Sequence, residues 1–594
     1  MTQPALELLP VRRLAAALGA ALVVLLLVAA GAAAREDGSI SVSIATTPSS
    51  TAPATKKAIT APDPDAPVPV VDLDKVQPGR RLKGRQILEI AKRTDTAKRT
   101  VREVKGAYAG AYTKGPGRWQ VSYFSRDTPP KEVAQLYVDD PTGRVTEAYT
   151  GYKVAWTMAR GYEGAFGRKV NSPWIWIGLT VLFLAPFVRV RGVRFDLAVL
   201  AAFGISLAYF NDAQIDTSVP LVYPLLGYLL LRALWIGLRR RDARRVRGPL
   251  RLLVPASVLA VAVVFLLGFR VGLNVTSSNV IDVGYAGVIG ADKLVDGKPL
   301  YGAFPKDNEH GDTYGPVTYA AYAPFVATLG WSGKWDPDLP AAHAAAIAFD
   351  LLACLLLCLI GRRLRGPTLG VVLAYLWAAF PFSLYVLMSN ANDTLVAVFV
   401  LLAIYLAASA PARAAAVALG GLTKFATLAL GPLFATHALG RTRTRGLVAF
   451  GLSFAVVTTV VMAPVVLQGQ SLGTVYDRTL GFQATRGSPF SVWGLYELPG
   501  LQQVWQGASV LLAVVLALVP RRRDVVGLAA CAAAVVIAVQ AGVTHWFYLY
   551  VVWFFPLLAV ALFARYEEDA PAATVEPTVV EPSHATSSGS IAVA

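Results

Sequence analysis

Charge and cysteine are both scarce in this 594-residue chain: 16% of residues are charged and three are cysteine. With 55% hydrophobic residues and a mean hydropathy of +0.51, so little charge excludes a soluble protein of this size. The cysteines, Cys354, Cys358 and Cys531, all sit inside apolar runs, where they read as small packing residues, so neither a disulfide framework nor thiol chemistry is expected. Five scattered histidines give no zinc motif. No glycine-rich phosphate loop lies near a basic residue and no kinase signature is present, which argues against ATP-driven transport within this chain. Acidic residues are outnumbered 38 to 55 by Lys and Arg, for a net charge of +17; in so apolar a chain this is not the mark of a nucleic-acid binder.

What the chain does have is apolar runs of about 20 residues, the length that crosses a hydrocarbon core, recurring from Leu14 to Phe563. In the segment 1–34, an N-terminal anchor or cleaved signal, Arg12 and Arg13 precede the run Leu14 to Ala34 and keep its start in the cytoplasm. Residues 35–83, rich in Ser, Thr, Pro and Ala, read as a disordered linker. Three further spans are expected in 171–250, and the remainder in 251–565, with a disordered cytoplasmic tail over 566–594. Arg189, Arg191 and Arg194, the cluster from Arg239 to Arg247, and Arg362, Arg363 and Arg365 mark cytoplasmic turns, leaving loops 271–339 and 468–502 outside. Arg413 and Arg441 both belong in the cytoplasm, yet the roughly 26 residues between them reach only ~39 Å as helix. That predicts a re-entrant hairpin turning near Gly420 to Leu430. The fold class expected is a polytopic α-helical membrane protein with about twelve spans, multi-pass in the plasma membrane.

Residues 84–170 differ. Ile87, Leu88 and Ile90 suggest a helix, Trp119, Val121 and Tyr123 alternate as a strand, and Leu136 to Tyr149 reads as a hairpin turning at Asp139 to Gly143. This predicts a small α+β domain, extracytoplasmic like all of 36–170. Its segment LYVDDPTGRVTEAYTG resembles PepSY-like domains, which implies a binding or regulatory accessory.

Ser277 and Ser278 are candidate N-caps for an amphipathic segment with Ile281, Tyr285, Val288 and Ile289, predicting a helix at the outer membrane surface with Asp282 in its first turn. There the helix dipole favours a carboxylate, so Asp282 either accepts a proton or merely complements the dipole. Over residues 250–565 the order of NVIDVGYAGVIGADKLVDGKPLYG, GDTYGPVTYAAYAPF, SNANDT, GGLTKFATLALGPL and THWFYLYVVWFFP resembles GT-C glycosyltransferases, most of all glycosyltransferase family 87 with its polyprenyl-phosphate-mannose-dependent mannosyltransferases. The resemblance implies a GT-C-like membrane domain that transfers mannose or another hexose or pentose from a polyprenyl-phosphate donor to a lipid or cell-envelope glycan acceptor, with Asp282 as general base and no cofactor. The four spans and the outer domain before that region depart from the simplest family pattern.

Other polar groups have both a binding and a structural reading. Asp350 lies deep in a span with His343 on nearly the same face, as a functional acid or a packing pair. Lys424 at the hairpin turn either holds a donor phosphate or pairs with Asp350, and His545 is either a ligand or an interfacial residue. Arg478 and Arg486 are outer-loop arginines suited to phosphate or sugar, or are simply solvated. Tyr285, His310, Asp312 and Asn392 complete the candidate binding set, the last three also being ordinary turn residues. No metal site is expected. Two other functions fit a polytopic chain: a transporter or lipid flippase, and a sensor or scaffold using the outer domain.

Overall fold

The computed structural model describes residues 67–161, 167–239, 247–336, 338–438, 443–519 and 523–567. The expected anchor over 1–34, the linker as far as residue 66 and the tail beyond 567 lie outside the described residues.

The chain first builds a five-stranded antiparallel sheet in the order β1 (Val68–Pro69), β2 (Tyr108–Thr113), β3 (Arg118–Phe124), β4 (Glu132–Asp139), β5 (Val145–Thr150). Alternation puts Trp119, Val121 and Tyr123 of β3 on the same face as Leu136 and Val138 of β4, and α1 (Gly84–Lys92) and α2 (Asp95–Glu103) cover that face through Ile87, Ala91 and Ala97. The expected helix, strand and hairpin are all present, with Leu136 opposite Ala148. The folded unit starts earlier than residue 84, because Val68 pairs with Thr113 of β2. β2, Tyr-Ala-Gly-Ala-Tyr-Thr, lacks a bulky apolar alternation and left no strand signal.

Helices make up the rest. Among the described residues six are long and apolar enough to cross a membrane, or seven if the bent pair Pro367–Ala379 and Pro381–Met388 is one span. In chain order the longer helices are α3 (Pro173–Leu184), α4 (Arg194–Asn211), α5 (Ile215–Leu238), α6 (Ala256–Ser277), α7 (Asp282–Val295), α8 (Pro316–Leu329), α9 (Pro340–Arg365), α10 (Pro367–Ala379), α11 (Pro381–Met388), α12 (Asp393–Tyr405), α13 (Ala410–Gly421), α14 (Arg443–Leu467), α15 (Pro499–Leu518), α16 (Val525–Ala541) and α17 (Val551–Phe563). α16 and α17 are apolar on every side, α17 buried at every residue and α16 at all but Val525 and Val539, so they form the centre. α6, α14 and α15 instead leave Val261, Phe265, Leu452, Val456, Val504 and Leu511 exposed. An outer surface of Val, Leu and Phe on long helices is stable against lipid and not against water, which makes this a membrane-embedded bundle.

The hairpin expected after Arg413 takes the form of two short arms, α13 and the stretch Phe425–Ala435. Arg413 closes its base by donating to the carbonyls of Ala407, Phe434 and His437 at 2.9, 2.9 and 2.7 Å. The arginine-bearing turns gather at one end of the bundle: Arg363 donates to the Tyr405 carbonyl, Arg365 to that of Ala564, and Arg247–Pro249 pairs with Tyr566–Glu567. The sheet domain sits at the other end. Tyr152 there donates to Asp216, and the Gly167 amide donates to Asn279.

Candidate functional site

The end of the bundle that bears the sheet domain begins with a polar lattice. Asp350 is enclosed among helices and bonded in bidentate fashion to Arg270, with Trp377 Nε1 donating to it at 2.9 Å. Arg270 also donates to Ser383 Oγ and the Ala378 carbonyl, 3.1 and 3.2 Å away. One turn on from Arg270, Asn274 donates to the Leu387 carbonyl at 2.7 Å and to Asn390 Oδ1 at 2.9 Å. Asn390 in turn donates to Ser278 Oγ and the Asn279 carbonyl, both at 2.9 Å, while His343 Nδ1 lies 3.0 Å from Asn274 Oδ1. Backbone bonds from Asn279 to Met388 and from Ile281 to Ser389 complete the splice. A buried polar group without partners costs ~1–3 kcal/mol, so this mutually satisfied lattice fixes one arrangement of α6, α9 and the 388–392 turn.

That lattice sets the start of α7, and with it Asp282. The helix begins at Asp282 itself, not at the serines, because Ser278 Oγ is already engaged by Asn390. Nor does α7 lie on the lipid surface. Every residue from Gly284 to Ala291 is buried, with Gly287 and Gly290 against the rings of Tyr322 and Tyr319 of α8. The apolar spacing of Ile281, Tyr285, Val288 and Ile289 that gave the segment an amphipathic look belongs to a helix enclosed by protein, and its glycines admit close helix contact.

Asp282 is the exception on this helix. The residue is exposed to solvent, yet it lies so deep among protein atoms that burial raises its pKa above the ordinary carboxylate value, against the pull of the Val283 amide, Arg486 and Lys424. Both facts hold together if water reaches the carboxylate through a recess in the protein. Several other elements converge there. Lys424, at the tip of the hairpin, pairs with Asp393 of α12 at 2.7 Å and lies over the rings of Tyr314, Trp553 and Tyr550 at 5.1, 5.3 and 5.6 Å. Trp553 Nε1 donates to Asp393 Oδ1 at 2.9 Å. Tyr314, from the loop before α8, is within electrostatic reach of Asp282, Asp393 and Arg486. From loop 468–502 comes Arg486, its guanidinium 5.2 Å from the Trp156 ring and 5.8 Å from that of Phe482. His545 Nδ1 is 3.0 Å from Ser488 Oγ, and its ring lies 5.4 Å from Trp156. Burial, with Arg486 and Lys424 nearby, holds the His545 pKa well below the usual imidazole value, so it is neutral at neutral pH.

The two cations differ in what is left for a ligand. Lys424 is already matched to a carboxylate. Arg486 has no carboxylate within ion-pair distance among the described residues and is held by aromatic faces, which leave its in-plane N–H groups unclaimed. Asn392 is fully enclosed next to Asp393, and its Oδ1, its Nδ2 and Asp393 Oδ2 have no protein partner.

The structure therefore brings together Asp282, Lys424, Arg486 and His545 of the residues singled out from sequence, with Asn392 behind them. Others fall elsewhere. Asp350 is a packing ion pair with Arg270, and Lys424 pairs with Asp393, not with Asp350. Asp312 and Arg478 spend their charges on each other at 2.7 Å, clasping the two long loops, so neither is a free ligand group. The same clasp includes Gln483 donating to Thr313 and Gln470 bonded to Leu300 and Tyr301. The Tyr285 hydroxyl turns away to Asp307, and His310 stacks on Phe482 at 4.6 Å, one ring removed from Arg486. Sequence reasoning missed Tyr314, Trp553 and Trp156; Trp156 sits between Gly151 and Gly161, and nothing in its local pattern marks it. Two small apolar voids, one lined by Phe210, Tyr223, Phe490 and Trp546 and the other by Phe399, Val417 and Thr427, contain no charged group and are not where these side chains meet.

No family model matches this chain, and no curated protein matches it.

Proposed function

We propose that the protein is a membrane glycosyltransferase that moves a sugar, mannose or another hexose or pentose, from a polyprenyl phosphate to a lipid or cell-envelope glycan acceptor at the outer face of the plasma membrane. The single observation that carries this reading is a water-accessible carboxylate, Asp282, set deep in protein near an arginine that has no carboxylate partner among the described residues. Sidedness follows the arginine-rich turns, which gather at the end of the bundle opposite the recess and the sheet domain.

In this reaction Asp282 takes the proton from an acceptor hydroxyl, and the oxygen attacks the anomeric carbon. The bond from that carbon to the phosphate oxygen breaks with its electron pair going to the phosphate, which inverts the anomeric centre. A carboxylate whose pKa is raised by burial is a stronger base, which suits it to a hydroxyl proton. Arg486 faces the charge that develops on the leaving phosphate, and Lys424 adds to that field from within its ion pair. Neutral His545 is a hydrogen-bonding group for sugar or acceptor.

Transfer from a labelled polyprenyl-phosphate sugar in membranes tests the reading. Asp282→Asn and Asp282→Ala are expected to lose about 100-fold or more of the rate, the scale of general-base catalysis. Full activity in either removes Asp282 from the chemistry, and flux of the lipid through proteoliposomes without a glycosylated product favours a flippase instead.

A further inference from the structure

The sheet domain is not hung loosely on the bundle. Its last strand leads into a segment bounded by Gly151 and Gly161, both in the left-handed region at φ 59° and 67°. At Gly161 a Cβ would fall 2.9 Å from that of Ala213 and 3.0 Å from the Asn211 carbonyl, so the segment turns hard against the α4–α5 corner. Arg160 ties this segment to the sheet: it donates to Gln135 Oε1 of β4 at 2.6 Å, lies 4.3 Å over the Tyr149 ring of β5, and folds back on the carbonyls of Lys153 and Val154. Lys153 and Tyr152 fasten it to the bundle at the Ala213 carbonyl and Asp216, 3.0 and 3.3 Å away. Clamped at both ends, the segment carries Trp156 into the recess, against Arg486, His545 and Phe490, with ring distances to the last two of 5.4 and 5.3 Å.

We propose that Trp156 is a positioning residue that holds the Arg486 guanidinium over the recess, so that the sheet domain completes the subsite for the phosphate of the lipid donor. The inference rests on Arg486 being the phosphate ligand of the proposed transferase. Arginine on a mobile loop searches many rotamers before it meets an anion. One laid on an indole face keeps its in-plane donors presented, so less order is lost on binding. The ligand class is a phosphate monoester or diester on a lipid chain, and the domain acts on its affinity.

The test uses the full chain in nanodiscs, with Trp156→Ala, Trp156→Phe, Arg486→Ala and the Trp156→Ala/Arg486→Ala double variant. Trp156→Ala is expected to raise the donor KM by about fivefold or more with kcat within about threefold, and Trp156→Phe to recover most of the loss. Binding of a sugar-free polyprenyl phosphate should weaken in the same order. An unchanged KM, or a loss in kcat alone, overturns the proposal. Thermal unfolding of the four variants reads the contact without reference to activity: shifts that fail to add support it, and additive shifts overturn it. If the wild type transfers no sugar but binds polyprenyl phosphate, the transferase reading falls and the binding order decides the role of Trp156. If it binds no polyprenyl phosphate, both fall.

Discussion

Burial raises the Asp282 carboxyl above its ordinary range, with Arg486 and Lys424 opposing that rise and Asp393 adding to it. In the unfolded chain the group titrates near its usual value of about 3.9. The folded state therefore holds the proton more tightly, and as pH climbs through the raised value the fold bears a charge that the unfolded chain carries at no penalty. Asp282 should thus destabilise the protein at neutral pH. Asp282→Asn is expected to raise the melting temperature at pH 7, by an amount that shrinks to nothing below about pH 4; a lower melting temperature at pH 7 would contradict it. The activity profile carries the same sign. Transfer should fall on the acid side as the base is protonated, and Arg486→Ala, which removes a charge that lowers the carboxyl pKa, should move that limb to higher pH. Asp350 shows the opposite logic: both its oxygens are matched by Arg270 and Trp377, so it specifies packing and offers nothing to a ligand.

α7 owes its position to contacts that only close approach allows. A Cβ on Gly284 would fall 2.2 Å from the Asn390 carbonyl oxygen, so Gly284→Ala must lift the first turn of the helix and Asp282 with it. A displacement of about 1 Å in a reacting group costs on the order of 100-fold in rate, and Gly284→Ala is expected to lose transfer on that scale while the protein still melts cooperatively. Gly268→Ala in α6, where a Cβ meets nothing within 4 Å, is the matched control and should keep full activity. The hairpin shows how much of an element can be legible. Arginines too close for two crossings foretold two short arms, and Arg413 on the first arm, bonded to the carbonyls of Phe434 and His437 at the end of the second, is the physical form of that argument. The amphipathic reading of α7 failed because helical periodicity alone cannot tell a lipid-facing stripe from one that admits the rings of Tyr319 and Tyr322.

Across the whole molecule, lipid-facing helices enclose a buried apolar centre, and the sheet domain closes over one end, tied down by Arg160, Lys153 and Tyr152. Arg160→Ala should loosen that tie without touching the recess. Proteolytic nicking between Gly151 and Gly161 is expected to rise severalfold, and the donor KM to rise in parallel as it does for Trp156→Ala; nicking without a change in KM would separate the domain from the site.

The sequence by itself determined the environment and much of the layout. Apolar runs require lipid, arginines cluster at the turns of one end of the bundle, and alternation in β3 and β4 announces a sheet, because each depends on residues near in sequence acting through period or charge. It also put Asp282 in a first helical turn, Lys424 at a hairpin turn and Arg486 on a long loop. Only the tertiary structure decided which charges cancel. Asp312 with Arg478, Asp350 with Arg270 and Asp393 with Lys424 are pairs 31 to 166 residues apart, and the choice among them rests on which helices become neighbours. Once those pairs form, Asp282 keeps the Val283 amide and Arg486 has no carboxylate partner among the described residues, and Trp156, unremarked in the sequence, is brought beside Arg486 by a domain that folds more than 300 residues before it.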